Sequence, residues 1–279
     1  MRRQVTEKLL SEFRSFLKDN ERSSATIEKY MHDLNCFVNF LGTDDISKEI
    51  TINYKNSLSQ EYALTSANSM LAALNAFLRF CGWQDMCVKQ FRIQKDAYCP
   101  EDKELTKAEY VRLLNAASKN KNERLNLIIQ TICGTGIRVS ELQYITVEAL
   151  ISGEATVSCK GKTRRIFIVS ELKKKLLRYA KEQKISSGAV FITRRGTPVS
   201  RINIWRDMKS LCEQAQVSPN KVFPHNLRHL FARTFYSIEK DIAKLADILG
   251  HTNINTTRIY IVTTCAEHKR KLEQMHLII

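Results

Sequence analysis

No run of apolar residues in this chain reaches the roughly 18 needed to cross a bilayer, which excludes a helical membrane protein. No GxxxxGKS loop is present, so nucleotide hydrolysis is not indicated. No compact cluster of Asp and Glu offers the ligands of a two-metal site. The eight cysteines (Cys36, Cys81, Cys87, Cys99, Cys133, Cys159, Cys212 and Cys265) contain no CxxC pair, so zinc-ligand spacing is lacking too. Neither a metal nor a cofactor is expected. The opening MRRQVTEKLL is charged and amphipathic rather than a secretory signal. With the scattered thiols, it points to the reducing cytoplasm. There is no internal repeat and no low-complexity segment.

Acidic charge is also scarce. The 279 residues hold 44 Lys and Arg against 29 Asp and Glu, a net of +15. The excess is uneven: residues 1–100 hold 13 basic and 12 acidic side chains, a net of +1, leaving 31 against 17, or +14, for the remainder. A field of that sign attracts a polyanion, although a basic surface alone would equally suit solubility or acidic lipid. The 43% hydrophobic content is enough for one large or two modest cores.

The pattern divides near residues 93–104, IQKDAYCPEDKE, a polar stretch with Pro100 and no helical stripe. Before it, Ser24 is placed to cap a helix whose Ile27, Tyr30, Leu34, Phe37 and Leu41 share one face. Thr65 to Phe80 forms a second helix, with Met70, Leu71, Leu74, Phe77 and Leu78 on its apolar side; a polar segment from Thr43 to Lys48 separates elements. After it, Thr106 and Glu109 form a capping box, and helices run through Asn115 and from Glu123 to Cys133. Gly134 and Gly136 are expected to break the chain. Strands are expected at Ala155–Ser158, Arg165–Val169 and Val190–Ile192, with Lys160 to Thr163 as the hairpin turn. Helices resume at Ser170, Ser200, His225, Asp241 and Asn255, and Gly250 fits the position just past a helix ending at Leu249.

The chemistry concentrates in TGIRVSEL, PHNLRH, LGH and TTRIY. These supply Arg138, His225, Arg228, His251 and Tyr260: two fixed cations, two imidazoles and a phenol. The set suits attack on a phosphodiester without a metal. A guanidinium fork matches two phosphate oxygens and holds the charge that builds on phosphorus. A histidine takes the phenol's proton and returns it, and a tyrosine carries the phosphate covalently. Taken singly, each has a plainer explanation. A lone Tyr on a helix is usually core or surface, a lone His beside an apolar run is usually structural, and Arg138 could cap a helix or pair with Glu141 one turn away.

With these boxes in this order, from about Leu105 to Tyr260, the chain resembles the tyrosine recombinases, the integrase and Xer-type family. The resemblance implies a mainly α fold with a small β-sheet: an N-terminal helical core-binding domain, then a mixed α/β catalytic domain. On this chain that reads as 1–92 core-binding, 93–104 linker, 105–264 catalytic and 265–279 a tail docking on a neighbouring protomer. It implies Tyr260 as nucleophile, Arg138 and Arg228 as the phosphate clamp, His225 as proton acceptor and His251 as a donor to phosphate. Glu141 matches the family's acidic position and His229 its supporting second-box histidine. The family's hairpin lysine falls in VSCKGKTRRIFIV. There the usual Gly-Lys-Gly tip is replaced by Cys159-Lys160-Gly161, which favours Lys160 over Lys162 and keeps both open.

The expected activity is site-specific recombination of double-stranded DNA at core sites, through a 3′-phosphotyrosyl link and by a tetramer on two sites. A type IB topoisomerase-like enzyme, relaxing DNA with similar residues, and a non-catalytic DNA-binding protein of the same fold remain open. With the core-binding helices expected to begin almost at once, no arm-binding domain is expected. The apolar Leu277-Ile278-Ile279 end asks to be buried, on a neighbouring protomer or in cis.

Overall fold

A computed structural model describes residues 3–93, 103–159, 162–260 and 273–274. The chain forms two compact units, Met1–Lys95 and Asp96–Ile279. The sequence-derived turn residues Lys160 and Gly161, the linker from 94 to 102 and nearly all of the tail lie outside the described residues.

The first unit is helical: α1 Glu7–Asp19, α2 Ser24–Leu41, α3 Lys48–Glu61 and α4 Leu64–Phe80. The stripes fold as their periodicity demands. Ile27, Leu34, Phe37 and Leu41 of α2 and Met70, Leu71, Leu74, Phe77 and Leu78 of α4 are all buried. α4 packs against both α2 and α3. Phe13 of α1 meets Phe77 edge-on at 5.4 Å between centroids. A fully buried phenylalanine stabilises by roughly 1.5–3 kcal/mol relative to exposure. The cap of α2 is Ser23, not Ser24: Ser23 is extended and its hydroxyl accepts from the Thr26 amide, while Ser24 is already helical.

The second unit is built around α6 (Glu123–Thr135), whose Leu125, Ile128, Ile129 and Ile132 are buried. Against it pack α5 (Lys107–Lys119), α8 (Ser170–Glu182), α9 (Arg201–Lys209) and α11 (Pro224–Glu239). The expected Thr106–Glu109 capping box starts α5. α6 runs straight through Gly134; the break is at Gly136, which takes the left-handed conformation at φ 64°. A six-residue 3-10 turn, Val139–Tyr144, and a short α7, Val147–Ser152, lead to the hairpin. α10 (Cys212–Ala215), α12 (Ile242–Leu249) and α13 (Ile254–Arg258) are further helices among the described residues of this unit.

The sheet has two antiparallel strands among the described residues, β1 Glu154–Cys159 and β2 Lys162–Phe167. Lys162 and Thr163, expected in the turn, belong to β2, pairing with Cys159 and Ser158. The expected third strand at Val190–Ile192 is not in the sheet. Ala189 and Ile192 make single bridges to two different partners, Thr146 and Pro198. The segment is squeezed between glycines at positive φ, Gly188 and Gly196, and turns back before a ladder can extend.

Candidate active site

Five short pieces of the second unit converge on one place. Pro224 begins α11, a good first helical residue because its missing N–H has no partner there anyway. The first turns of α11 then carry His225, Arg228 and His229. Arg228 is 1% exposed. Its guanidinium donates to the carbonyls of Gly136 and, at 2.7 Å, Leu249, both at C-terminal ends of helices where carbonyls lack helical partners. Gly136 therefore shapes the site directly: a Cβ there would run into the Phe231 ring. Burial first, then the charge of Arg138, lowers the Arg228 pKa to about 10, which leaves it charged at neutral pH.

Arg138 stands just before the 3-10 turn. Its backbone N–H donates to Glu141 Oε2 and its Nη1 to Oε1, both at 2.9 Å. Pairing with Glu141, the plainer of its two explanations, is thus real, but it does not consume the residue: the Arg138 side chain keeps 38% exposure while that of Glu141 is 4% exposed. Burial alone would raise the Glu141 pKa. The Arg138 amide, the charge of Arg164 and the Arg138 side chain outweigh it, and the carboxyl stays below its ordinary value.

Gly250, left-handed at φ 66°, ends α12 and turns the chain so that His251 points back. His251 Nδ1 lies 2.9 Å from Thr257 Oγ1 and its Nε2 3.1 Å from Arg228 Nη2. Because the guanidinium only donates, Nε2 accepts and Nδ1 carries the proton toward Thr257. Burial, then Arg228, Arg138 and Arg164, push the His251 pKa down to about 4. Tyr260 follows α13 and is 2% exposed. Three imidazoles surround its ring: His229 at 4.4 Å, His251 at 5.6 Å and His225 at 5.9 Å between centroids. His225 and His229 meet edge-on at 4.7 Å. His225 has an open edge, yet partial desolvation and the charges of Arg228, Arg138 and Arg201 lower its pKa. For His229, burial, His225 and Arg228 lower it to about 4.

Of the sequence-derived residues, Arg138, Glu141, His225, Arg228, His229, His251 and Tyr260 come together; Lys160 lies outside the described residues. Two neighbours escaped the sequence reading. Thr257, fully buried, sets the orientation of His251. Arg164 of β2 joins Glu141 and the carbonyl of Ile248. Its signal was strand parity: it shares the inward face with the buried Ile166 and Ile168.

Residues 103–267 match the sequence profile described as phage integrase family. The chain belongs to that family. In this integrase-family member, residues 10–85 also match the phage integrase N-terminal SAM-like domain. Tyrosine recombinase XerA of Pyrococcus furiosus is 27% identical over 277 residues, covering 97% of this chain and 94% of the relative. Tyrosine recombinase XerH of Campylobacter jejuni is 36% identical over 152 residues, covering 52% of this chain and 43% of the relative. Among solved structures, a lambda integrase dimer bound to a COC′ core site has a TM-score of 0.74 at 19% identity, covering 92% of this chain and 95% of that one. XerH bound to difH has a TM-score of 0.69 at 17% identity, covering 95% and 84%. Both share the fold. The protein is a site-specific tyrosine recombinase, an enzyme that breaks and rejoins DNA.

Proposed function

We propose that Tyr260 is the nucleophile of this recombinase and that Arg138, Arg228, His225 and His251 carry its chemistry on the scissile phosphate. The observation that bears most weight is the cage: a buried phenol ringed by three histidines whose pKa values are lowered first by burial and then by neighbouring charges, Arg228 among them. His225, uncharged at neutral pH, accepts the phenol proton as the oxygen attacks phosphorus. The phosphorus–tyrosine bond forms, the bond to the 5′ oxygen breaks, and Lys160 on the hairpin protonates that leaving oxygen. Arg138, the more open guanidinium, and Arg228, the fixed one, hold the negative charge that develops. Glu141 orients Arg138, and His229 packs on Tyr260 as the supporting histidine. His251 serves as a phosphate donor once its proton moves to Nε2; Thr257 supports either tautomer, since a hydroxyl both accepts and donates. The 3′-phosphotyrosyl link conserves the energy of the broken bond, and the partner strand's 5′ hydroxyl reverses the step.

The same reading assigns residues 1–92 to core-site binding, 93–104 to a linker and 105–264 to catalysis, acting in the cytoplasm as a tetramer on two sites. Lambda integrase, a distant structural relative, is known as a tetramer bound to a Holliday junction. The tail 265–279 docks on the neighbouring protomer. An apolar groove of about 320 Å³, lined by Tyr110, Cys133, Leu230, Phe231, Phe235 and Ile238, offers it a matching surface. Ile238 there is 79% exposed. Truncation after Thr264 and Ile238→Asp are both expected to spare single-site DNA binding and to weaken recombination. Normal recombination by both would rule out the exchange role.

The deciding experiment is covalent trapping. Purified protein mixed with genomic DNA fragments in EDTA is expected to form detergent-resistant adducts at discrete sites, and none with Tyr260→Phe. Adducts formed by Tyr260→Phe would overturn the assignment of the nucleophile. Scattered adducts with relaxation of any supercoiled plasmid would favour a topoisomerase, and no adducts at all a non-catalytic binder.

A further inference from the structure

Arg164 is an arginine on the core side of a strand, and nothing in the chemistry above uses it. Along β2 the side chains alternate: Thr163, Arg165 and Phe167 are exposed, Ile166 and the following Ile168 are buried, and Arg164 lies on their side. Its side chain is 12% exposed. A cation placed there without partners would be costly, and each of its terminal nitrogens has an acceptor. Nη2 donates to Glu141 Oε2 at 2.5 Å and Nη1 to the Ile248 carbonyl at 2.6 Å. Its Nε is buried with no partner, an unsatisfied donor kept in an otherwise well-packed place.

The two acceptors belong to different arms of the site. Glu141 Oε2 also accepts the Arg138 amide, and Oε1 the Arg138 guanidinium. Ile248 sits in the last turn of α12, three residues before His251. Between them the chain passes so close to Arg164 that a Cβ on Gly250 would collide with its Cδ. Gly250 is thus required twice, for its φ of 66° and for the room it leaves this side chain. On the strand side, Arg164 pairs with Val157 of β1, within the hairpin whose sequence carries Lys160.

We propose that Arg164 is a positioning residue for strand cleavage, tying the β1–β2 hairpin at once to the Arg138–Glu141 pair and to the end of α12 that presents His251. The proposal rests on the functional reading above. One planar fork fixes three arms relative to one another, so a phosphate entering the site meets Arg138, His251 and the hairpin in register. An amide or an ammonium at this position cannot do this: the first lacks the charge, and the second lacks a rigid fork that spans both acceptors. The charge has a separate effect, since Arg164 is among the cations that keep His251 unprotonated.

The test compares Arg164→Gln and Arg164→Lys in the full-length protein. The first measurement is single-turnover adduct formation on a nicked duplex carrying an adduct site mapped with the wild-type protein. It is made at saturating DNA, with Kd measured separately. The second is titration of His251 by NMR in the free protein. Both variants are expected to cleave about 30- to 100-fold more slowly, the scale of a modest misplacement of reacting groups, with Kd within about threefold. His251 is expected to titrate higher in Arg164→Gln and to stay near its wild-type value in Arg164→Lys, which separates charge from bridging. Cleavage within about threefold of wild type by Arg164→Lys, or a loss residing wholly in Kd, overturns the proposal. Should Arg164→Gln fail to fold, the Lys variant still decides. If the wild-type protein forms no adducts, the functional reading is what fails, and the positioning role falls with it; an unchanged His251 titration in Arg164→Gln overturns only the charge effect.

Discussion

The two units bury charge differently. In the first, Asn75 is 6% exposed and gives and takes one hydrogen bond with the backbone of Val88, at 2.8 and 2.9 Å. Thr51, fully buried, donates to the carbonyls of Lys48 and Met86. These side chains close off backbone groups that would otherwise be stranded. The one buried carboxylate among the described residues of this unit, Asp33, accepts from Lys29 one turn away, so its charge is paired. In the second unit the buried polar groups include charges, Arg228 and Glu141, and they gather around Tyr260 with further arginines nearby. Several cations beside a phenol do not stabilise a fold; mutual repulsion and desolvation oppose it. Such a cluster becomes favourable when an anion arrives, which is the condition under which this enzyme works. Burial of an amide on backbone thus marks architecture, and burial of like charges beside the proposed nucleophile marks the candidate site.

The sharpest way to break that contrast is Tyr260→Phe. It removes one oxygen from a buried ring, so thermal stability and DNA affinity are expected to stay close to wild type while covalent adducts disappear completely. A large loss of stability would mean that the phenol is architectural after all. Next in size is Arg138→Lys. Lysine keeps the charge and loses the fork, and the expected cost is about 3–4 kcal/mol in the chemical step, by analogy with a lost oxyanion donor. Single-turnover rates within about twofold of wild type would remove Arg138 from the clamp. Changing a merely basic surface lysine should instead lower the salt slope of binding by about one unit and leave the saturated rate alone.

The contrast also accounts for what could be read before folding. Helical stripes such as Met70, Leu71, Leu74, Phe77 and Leu78 are legible because their periodicity is local and the core has no chemistry to conceal. The boxes proposed to carry the chemistry are legible as a group because Arg138, His225, Arg228, His251 and Tyr260 stand in short, ordered contexts. Arg164 was not, since its meaning depends on Ile248, 84 residues away, and on a strand parity that the expected turn had placed too late. Thr257 was hidden likewise: a threonine in TTRIY becomes significant only when Gly250 turns His251 onto it. The misplaced cap at Ser24 and the extra strand at Val190–Ile192 share a different cause. Adjacent serines are equivalent by type, and a β-branched run says nothing of whether a partner strand lies alongside.

Asn75→Ala tests the architectural side of the comparison. It leaves the Val88 N–H and carbonyl buried without partners, which is expected to cost about 1–3 kcal/mol of stability. At saturating DNA the single-turnover cleavage rate is expected to stay within about twofold of wild type. A chemical defect with unchanged thermal unfolding would invert the distinction drawn between the units.

The smallest expected effect concerns the imidazoles. Burial, His225 and Arg228 lower the His229 pKa from 6.5 to about 4, so the folded protein binds fewer protons there than the unfolded chain between those values. Stability therefore rises with pH through that window: the contribution is complete above about 6.5 and is lost progressively as pH falls toward 4. His251, lowered to about 4, acts in the same direction. Glu141 has a depressed pKa instead, and its contribution is lost only at lower pH, below its ordinary value of 4.5. The interval from about pH 6.5 to 5 thus isolates the histidines, and one such group accounts for up to about 2 kcal/mol across it. His229→Gln removes one titration while keeping a polar side chain beside Tyr260. Its thermal midpoint is expected to fall by a few degrees less than that of the wild type between pH 7 and pH 5. Identical pH slopes for the two proteins would show that His229 is not held neutral by the cage, and that the cations around Tyr260 act over a shorter range than the geometry implies.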